Sequence, residues 1–290
     1  MSAETQTETT VIDGKAVAAE LRQKVAARVA EFTEQHGRPP ALTTILVGDD
    51  PASHVYVGNK HKACAEVGID SRDERLPADV STDYLAGLIG DLGRDDSVDG
   101  ILLQLPLPDG LDDDAMTELI SPLKDVDGLT SASAGRLVQG RDGLVPCTPS
   151  GVMILLEHAG VQLSGSEAVV VGRSNLVGRP VASLLLAQNA TVTTCHSRTR
   201  DLGEVTRRAD VIVACVGAPK LIDGSMVKPG ATVIDVGTTR TDDGLSGDVD
   251  FDSVLGVAGA VTPVPGGVGP MTIACLLDNT VKAATLRAEG

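Results

Sequence analysis

Two polar side chains in one helical segment are spaced for proton transfer. Tyr56 and Lys60 are four residues apart, so in a helix they project from the same face about one turn apart. A lysine accepts a proton only when desolvation or a neighbouring cation depresses its pKa, and His61 and Lys62 follow directly in the chain. The pair is a candidate acid/base pair. The alternative is a solvated helix face that carries ordinary lysines.

A glutamine and an aspartate are further candidates for ligand contacts. Gln104 interrupts an otherwise apolar run just before Pro106. A buried amide without partners costs about 1–3 kcal/mol, and the carboxyl ends of parallel strands are common ligand sites. Gln104 is therefore interpreted as a ligand contact. Asp127 lies in the charged turn KDVDG at 124–128, for which a plain surface loop is the alternative.

A glycine turn later in the chain has the features of a dinucleotide site. The apolar run 168–171 leads into Gly172, Arg173 and Ser174, and a helical segment follows. Glycine lets the backbone turn tightly and approach a pyrophosphate, while the helix that follows presents unpaired N–H groups. Ser174 stands where the usual pattern has its middle glycine, and the last glycine comes late. A turn that only closes a βα loop is the alternative.

The residues after the next strand favour NADP over NAD. An NAD site usually has Asp or Glu there, to accept a hydrogen bond from the ribose 2′-hydroxyl. The sequence instead has Ser197 and Arg198. Together with Arg173, this arginine is suited to a 2′-phosphate.

Alternating helical and strand patterns position these residues. Apolar spacing, Pro51 and the glycines at 37 and 68 predict helices at 14–36 and from 51 to Gly68. The other predicted helices are 82–92, 113–120, 149–159 and 271–287, and the predicted strands are 41–47, 72–76, 100–105, 168–172, 191–195, 210–216, 231–236 and 257–262.

This alternation predicts an α/β protein of two α/β domains with parallel sheets and a cleft between them. The N-terminal βα catalytic domain is predicted at 1–148, and a Rossmann-like dinucleotide-binding domain at 149–270. The C-terminal helix 271–290 is assigned to the first domain. The Pro-Gly-rich loop 263–270 is too stiff and apolar for a generic connection, which makes Pro265 and Gly269 candidates for the nicotinamide end of the cleft.

Composition excludes several classes of function. The formal net charge of the 290 residues is −16 and no basic cluster is visible, which argues against a nucleic-acid partner. The five cysteines form no Cys-x-x-Cys pair and the five histidines are dispersed, so neither a metal site nor a disulfide framework is predicted. A polar, acidic start and the lack of a long apolar run predict a cytoplasmic protein without membrane contact.

Five motifs in order resemble one enzyme family over nearly the whole chain from about residue 11. They are ASHVYVGNKHK at 52–62, GILLQLPLP at 100–108, KDVDG at 124–128, VGRS at 171–174 and PVPGGVGPMT at 263–272. The chain resembles the methylenetetrahydrofolate dehydrogenase/methenyltetrahydrofolate cyclohydrolase family of the bifunctional FolD type. The resemblance implies oxidation of 5,10-methylenetetrahydrofolate with NADP⁺ and hydrolysis of the methenyl product to 10-formyltetrahydrofolate.

The resemblance also implies a role for each candidate residue. Lys60 would be, or assist, the general base for water attack, and Gln104 would orient Lys60. Tyr56 would contact the folate near the reacting centre, and Asp127 would hold the pterin ring. The residues that match the family's NADP contacts are Gly172, Arg173, Ser174, Ser197 and Thr238. Homodimers are typical of this family.

Two other functions remain open at this point. One is a different two-domain NADP oxidoreductase that resembles shikimate dehydrogenase, which has the same architecture and also uses a lysine. The other is a non-catalytic NADP-sensing module that binds a regulatory partner.

Overall fold

Helices and strands alternate along almost the whole chain. The structure, a computed structural model, describes residues 8–242 and 244–289. The elements up to the middle of the chain are β1 Thr10–Val11, α1 Gly14–His36, β2 Ala41–Val47, α2 Pro51–Val67, β3 Asp70–Leu76, α3 Thr82–Arg94, β4 Gly100–Leu103, α4 Asp113–Thr117, α5 Ser131–Val138 and α6 Cys147–His158. Those that follow are β5 Glu167–Val171, α7 Gly178–Ala187, β6 Thr191–Cys195, α8 Leu202–Thr206, β7 Val211–Ala214, β8 Thr232–Asp235, β9 Thr239–Thr241, β10 Gly244–Ser246, α9 Phe251–Val254, β11 Ala260–Val261 and α10 Val268–Glu289, with a 3₁₀ turn at Gly224–Met226.

The chain divides into two compact units. Among the described residues, the three-stranded unit comprises Ala19–Cys147 and those from Ile273 onward, and the six-stranded unit comprises those up to Ala18 and those within Thr148–Thr272. Both contain a parallel sheet, so the predicted α/β class is confirmed. The cleft stays a prediction.

In the three-stranded unit, β2 lies between β3 and β4 and pairs with both in parallel. All seven residues of β2 are buried, whereas the edge strand β3 is polar and partly exposed. Helix α2 begins and ends as its sequence predicts. The Asp50 side chain accepts a hydrogen bond from the Ser53 N–H, Pro51 is the first helical residue, and Gly68 ends the helix in the left-handed region at φ 85°.

In the six-stranded unit, the strand order is β1-β11-β8-β7-β5-β6, and every pair is parallel. The chain runs from β5 to β6 on one side and then crosses to β7 on the other side of β5. This reversal is the topological switch point at which open parallel sheets bind ligands, outside the carboxyl ends of their strands. The residues that follow β5, β6, β7 and β8 therefore line one edge of the sheet.

Aliphatic side chains form the core of each unit. One buried cluster includes Ile45, Leu85 and Ile101 in the three-stranded unit, and another includes Ile212 and Val233 in the six-stranded unit. Over the described part of the chain, no helix has both the length and the apolar character needed to cross a bilayer.

The structure differs from the predicted elements where pairing partners are distant in the chain. Thr10–Val11 forms an edge strand beside Ala260–Val261, because Thr10 N–H donates to Gly259 O and Ile12 N–H to Val261 O. The described residues up to Ala18 thus belong to the six-stranded unit, whereas the sequence assigns 1–148 to the first domain. Residues 1–7 and Gly290 of the predicted boundaries lie outside the described residues.

Several short elements were not predicted. Helix α5 has only eight residues, and strands β9 and β10 have three each, so they carry too few residues for a periodic pattern. Helix α10 begins at Val268 and not at the predicted Met271. Gly269 is therefore in the first turn of a helix and not in the predicted loop, while Pro265 precedes the helix as predicted.

Candidate active site

Lys60 is the buried member of a run of basic residues on α2. Its side chain is largely enclosed, with a residue exposure of 9%, and its Nζ donates a hydrogen bond of 3.0 Å to Gln104 Oε1. Lys62 is exposed, and His61 is directed to β3, where its Nδ1 lies 2.9 Å from Ser71 Oγ. The structure therefore selects Lys60 from the three.

Gln104 holds the amine in one direction. Its N–H donates to Ile45 O at the end of β4, and its Nε2 donates to Leu105 O at 2.8 Å. Because the amide nitrogen is engaged, the amide oxygen is turned to Lys60. An ammonium has three protons, so the bond to Gln104 leaves two that can reach a ligand.

Asp127 interacts with the same lysine. Burial is the main cause that raises the pKa of the Asp127 carboxyl above its ordinary value, and Asp125 raises it further. The Lys60 charge and a hydrogen bond with the Cys147 thiol act in the opposite direction. The structure thus brings Lys60, Gln104 and Asp127 together, as an amine, an amide and a carboxyl that can bind and protonate a polar ligand.

The other charges of the KDVDG turn are structural. Lys124 Nζ donates to Leu92 O at 2.8 Å and to Asp95 O at 2.7 Å, at the carboxyl end of α3. Asp125 accepts hydrogen bonds from the N–H and hydroxyl groups of Thr130 and from the hydroxyl of Ser133, at the start of α5. Of the three charged residues in this turn, Asp127 remains for a ligand.

Tyr56 is the most accessible of these candidates. It is 57% exposed, one helical turn before Lys60. Within residues 8–242 and 244–289 its hydroxyl has no hydrogen bond. The phenol is therefore free to contact a ligand.

In the glycine turn after β5, the backbone lies very close to other backbone atoms at two positions. Gly172 has φ 135°, and a Cβ there would lie 2.5 Å from Cys215 O. A Cβ at Gly178, the first residue of α7, would lie 2.4 Å from Gly172 O. These contacts explain why the last glycine of the motif comes later than in the usual pattern. Gly178 is the residue at which α7 touches the turn. Ser174 Oγ accepts from the Val177 and Gly178 N–H groups, where the turn leads into α7.

The predicted NADP contacts follow adjacent strands. Gly172 N–H donates to Cys195 O, so the ends of β5 and β6 lie side by side. Arg173 and Arg198 are exposed, and neither guanidinium pairs with another described residue. Ser197 is also exposed, and Thr238 follows β8 on the same edge. A backbone without a Cβ at Gly172 and two free guanidinium groups fit a pyrophosphate and a 2′-phosphate.

Two buried carboxyls that the sequence analysis missed hold this edge. Asp248 accepts hydrogen bonds from the N–H groups of Val216, Gly217 and Ala218 after β7. Asp235, at the end of β8, accepts from the N–H groups of Gly237, Asp248 and Val249. The signal for Asp235 was its place in the apolar strand 233–236, the same kind of interruption that identified Gln104. No comparable signal marks Asp248.

Both domains of one known protein family match this chain. The family described as tetrahydrofolate dehydrogenase/cyclohydrolase, catalytic domain, matches residues 12–127, and its NAD(P)-binding domain matches residues 146–288. The chain is 60% identical over 279 residues to bifunctional protein FolD 2 of Frankia alni, covering 96% of this chain and 97% of that protein.

Solved structures agree with this match. The bifunctional FolD methylenetetrahydrofolate dehydrogenase/cyclohydrolase of Campylobacter jejuni has a TM-score of 0.94 and 47% identity, over 96% of this chain and 99% of that one. FolD of Trypanosoma brucei, solved with NADP cofactor and an inhibitor, has a TM-score of 0.92 and 40% identity, over 98% and 99% of the two chains. The likeness extends over both units and is high in sequence as well as in fold, and this chain therefore belongs to the tetrahydrofolate dehydrogenase/cyclohydrolase family.

Proposed function

We propose that this protein oxidises 5,10-methylenetetrahydrofolate with NADP⁺ and hydrolyses the 5,10-methenyl product to 10-formyltetrahydrofolate. The observation that carries the proposal is the buried Lys60, whose Nζ is bonded to Gln104 and lies near Asp127 in a chain of this family. The relatives named FolD are described as bifunctional, and both family domains are matched.

The three-stranded unit holds the folate. The carboxyl of Asp127 accepts hydrogen bonds from N–H donors of the pterin ring, and the exposed Tyr56 ring contacts the folate beside Lys60. In the hydrolytic step, a water oxygen forms a bond to the methenyl carbon as the double bond of that carbon to nitrogen opens, and a proton leaves the water. The neutral amine form of Lys60 takes up this proton, and Gln104 keeps Nζ directed at the reacting carbon. The bond from that carbon to N5 then breaks, N5 takes the proton of the new hydroxyl group, and the formyl group stays on N10.

The six-stranded unit holds NADP. Gly172 allows the backbone to approach the pyrophosphate, Arg173, Ser197 and Arg198 bind the 2′-phosphate, and Ser174 and Thr238 line the same edge. When bound, NADP⁺ accepts the hydride that leaves the methylene carbon. No strong base is needed for that step, because two nitrogens already activate the carbon.

We further propose that the protein is a homodimer. The sheet order ends at β6, an edge strand whose residues are partly exposed, and an edge strand of this kind is suited to an interface. Sedimentation velocity should give the mass of a dimer, and a monomer at all concentrations would contradict this part.

One assay tests the catalytic proposal. The purified chain receives methylenetetrahydrofolate and NADP⁺, and reduced cofactor, methenyl intermediate and formyl product are followed separately. We expect all three to appear in that order. Reduced cofactor with shikimate in place of the folate would favour the shikimate dehydrogenase alternative. Tight NADP⁺ binding without turnover on any folate would favour a sensing module.

A further inference from the structure

The turn that carries Asp127 packs against a second segment of the same unit. Gly128 has φ 68°, and a Cβ there would lie 2.6 Å from Pro146 N and from the Val145 carbonyl carbon. The backbone around Asp127 is therefore in direct contact with the segment 145–147. A small separation of the two segments would move the Asp127 carboxyl.

One buried amide joins these two segments. Asn279, on α10, is 7% exposed, and its Nδ2 donates to Val126 O and to Val145 O, both at 2.8 Å. Val126 immediately precedes Asp127 in the chain. The same Nδ2 lies 3.7 Å from Cys147 Sγ, and the Cys147 thiol in turn donates to Val126 O and contacts the Asp127 carboxyl.

Helix propensity does not account for an asparagine at this place. Asn lowers helix stability relative to Leu or Ala, and this residue is inside a 22-residue helix among buried apolar neighbours such as Leu276 and Ala283. Its amide donates to two carbonyl groups outside α10, those of Val126 and Val145. The position therefore follows from the contact with the turn.

We propose that Asn279 is a positioning residue for Asp127, acting through the backbone of Val126 and Val145 to hold the carboxyl where the folate binds. The inference rests on the proposed function, because that function assigns Asp127 to the pterin ring.

The test compares two residues of α10, of which one bonds to the segment 145–147 and the other to residues just before it. Asn279→Leu has a similar volume and no donor. Lys282→Met is the matched control, since Lys282 Nζ donates to Asp142 Oδ1 and Gly143 O but contacts nothing in the Asp127 turn. We expect Asn279→Leu to raise the KM for methylenetetrahydrofolate about tenfold while kcat and the Kd of NADP⁺ stay within about threefold, and Lys282→Met to change none of them.

A double-mutant cycle separates positioning from general destabilisation. In an Asp127→Ala background, Asn279→Leu should raise the KM less than about twofold, since the carboxyl it positions is absent. An equal rise in both backgrounds, an unchanged KM in the single variant, or a parallel loss of NADP⁺ affinity would overturn the proposal. If Asn279→Leu does not fold, Asn279→Ala, which removes the donor with a smaller side chain, is measured in the same cycle with the same outcomes.

A second readout does not depend on turnover. In the wild-type protein burial raises the pKa of the Asp127 carboxyl, so a loosened turn should let that pKa fall toward its ordinary value, as followed by carbon-13 NMR. A wild-type chain inactive on folates would contradict the proposed function alone. The NMR comparison of wild type with Asn279→Leu then decides the inference, and an unchanged Asp127 pKa would overturn it.

Discussion

Among neighbouring residues of like charge, the structure separates those that can serve a ligand from those that hold the fold. Lys60 faces Gln104, whereas His61 contacts Ser71. Asp127 is left for a ligand, whereas Asp125 is saturated by Thr130 and Ser133. Residue type and spacing identify the candidate groups. The hydrogen bonds of the folded chain then show which of them remain available to a ligand.

The two proposed activities should respond differently to loss of the Lys60 amine. Lys60→Met keeps the length of the side chain but removes the proton acceptor, so we expect hydrolysis to fall by about 10²-fold or more while part of the dehydrogenase activity remains. Separate rates for methenyl formation and methenyl decay measure this. Lys62→Met, an exposed neighbour, is the control. Undiminished hydrolysis in Lys60→Met would remove Lys60 from the mechanism.

Arg173 should decide between the two nicotinamide cofactors. Its exposed guanidinium pairs with no other residue in the described part of the chain. If it binds the 2′-phosphate as proposed, loss of that charge-assisted hydrogen bond typically costs about 1.5–3 kcal/mol, so Arg173→Ala should raise the Kd of NADP⁺ about 10- to 100-fold. The Kd of NAD⁺, which lacks the 2′-phosphate, should change little. Lys228→Met, which removes an ion pair with Asp210 just before β7, is the control in the same unit. Equal losses for both cofactors would place the 2′-phosphate elsewhere.

At the scale of elements, the cofactor edge depends on how closely α7 approaches the end of β5. The two glycines are six positions apart because the second one is where the helix contacts the turn, and Ser174 Oγ accepts from two N–H groups between them and at the start of α7. Asp235 and Asp248 hold the segments that follow β7 and β8. This edge is therefore held by backbone contacts and buried carboxyls more than by side chains of the glycine motif.

Gly178→Ala should disrupt that approach. The new Cβ would lie 2.4 Å from Gly172 O, and since the neighbour is backbone, α7 must shift away from the turn. We expect at least about a tenfold loss of NADP⁺ affinity and a lower Tm, as is usual for overpacking a tight contact. Gly87→Ala in α3, where nothing lies within 4 Å of the added atom, should bind NADP⁺ normally. Isothermal titration of both variants tests this, and unaltered binding in Gly178→Ala would refute the contact.

At the scale of the whole molecule, one buried carboxyl links stability to pH. Burial raises the pKa of Asp235 to about 6, against three backbone N–H groups that favour its ionised form. The unfolded chain loses this proton near pH 4. Between pH 4 and 6 the folded state holds more protons than the unfolded state, so the free energy of unfolding falls as the pH rises, and it levels off above about pH 7.

The size of this effect is measurable against Asp235→Asn, which does not titrate. The free energy of unfolding of the wild type, relative to the variant, should fall by about 2 kcal/mol from pH 4 to 6 and by a few tenths of a kcal/mol more from pH 6 to 8. Urea unfolding at each pH gives the difference, in which the contribution of the other acidic groups largely cancels. The lost acceptor in the variant adds a constant offset. A difference that does not depend on pH would refute the raised pKa.

Local sequence patterns were sufficient to predict most of the helices and strands. Apolar spacing with Pro51 and Gly68 predicted α2, and the strands 41–47 and 191–195 match β2 and β6 residue for residue. The family and its α/β architecture were likewise evident from five motifs. These features depend on neighbours within a few residues, and a sequence records such neighbours directly.

The remaining features became evident only in the folded chain, because they join residues that are far apart in the sequence. β1 pairs with β11, Asn279 bonds to Val126, and Gly178 must be glycine because of Gly172 O. In the same way, the sequence could nominate Lys60 and Asp127 separately, but only folding brought the amine near the carboxyl and paired it with Gln104. Spacing along the chain determines which face a side chain occupies, and what that face contacts is determined by the packing of elements that no local pattern connects.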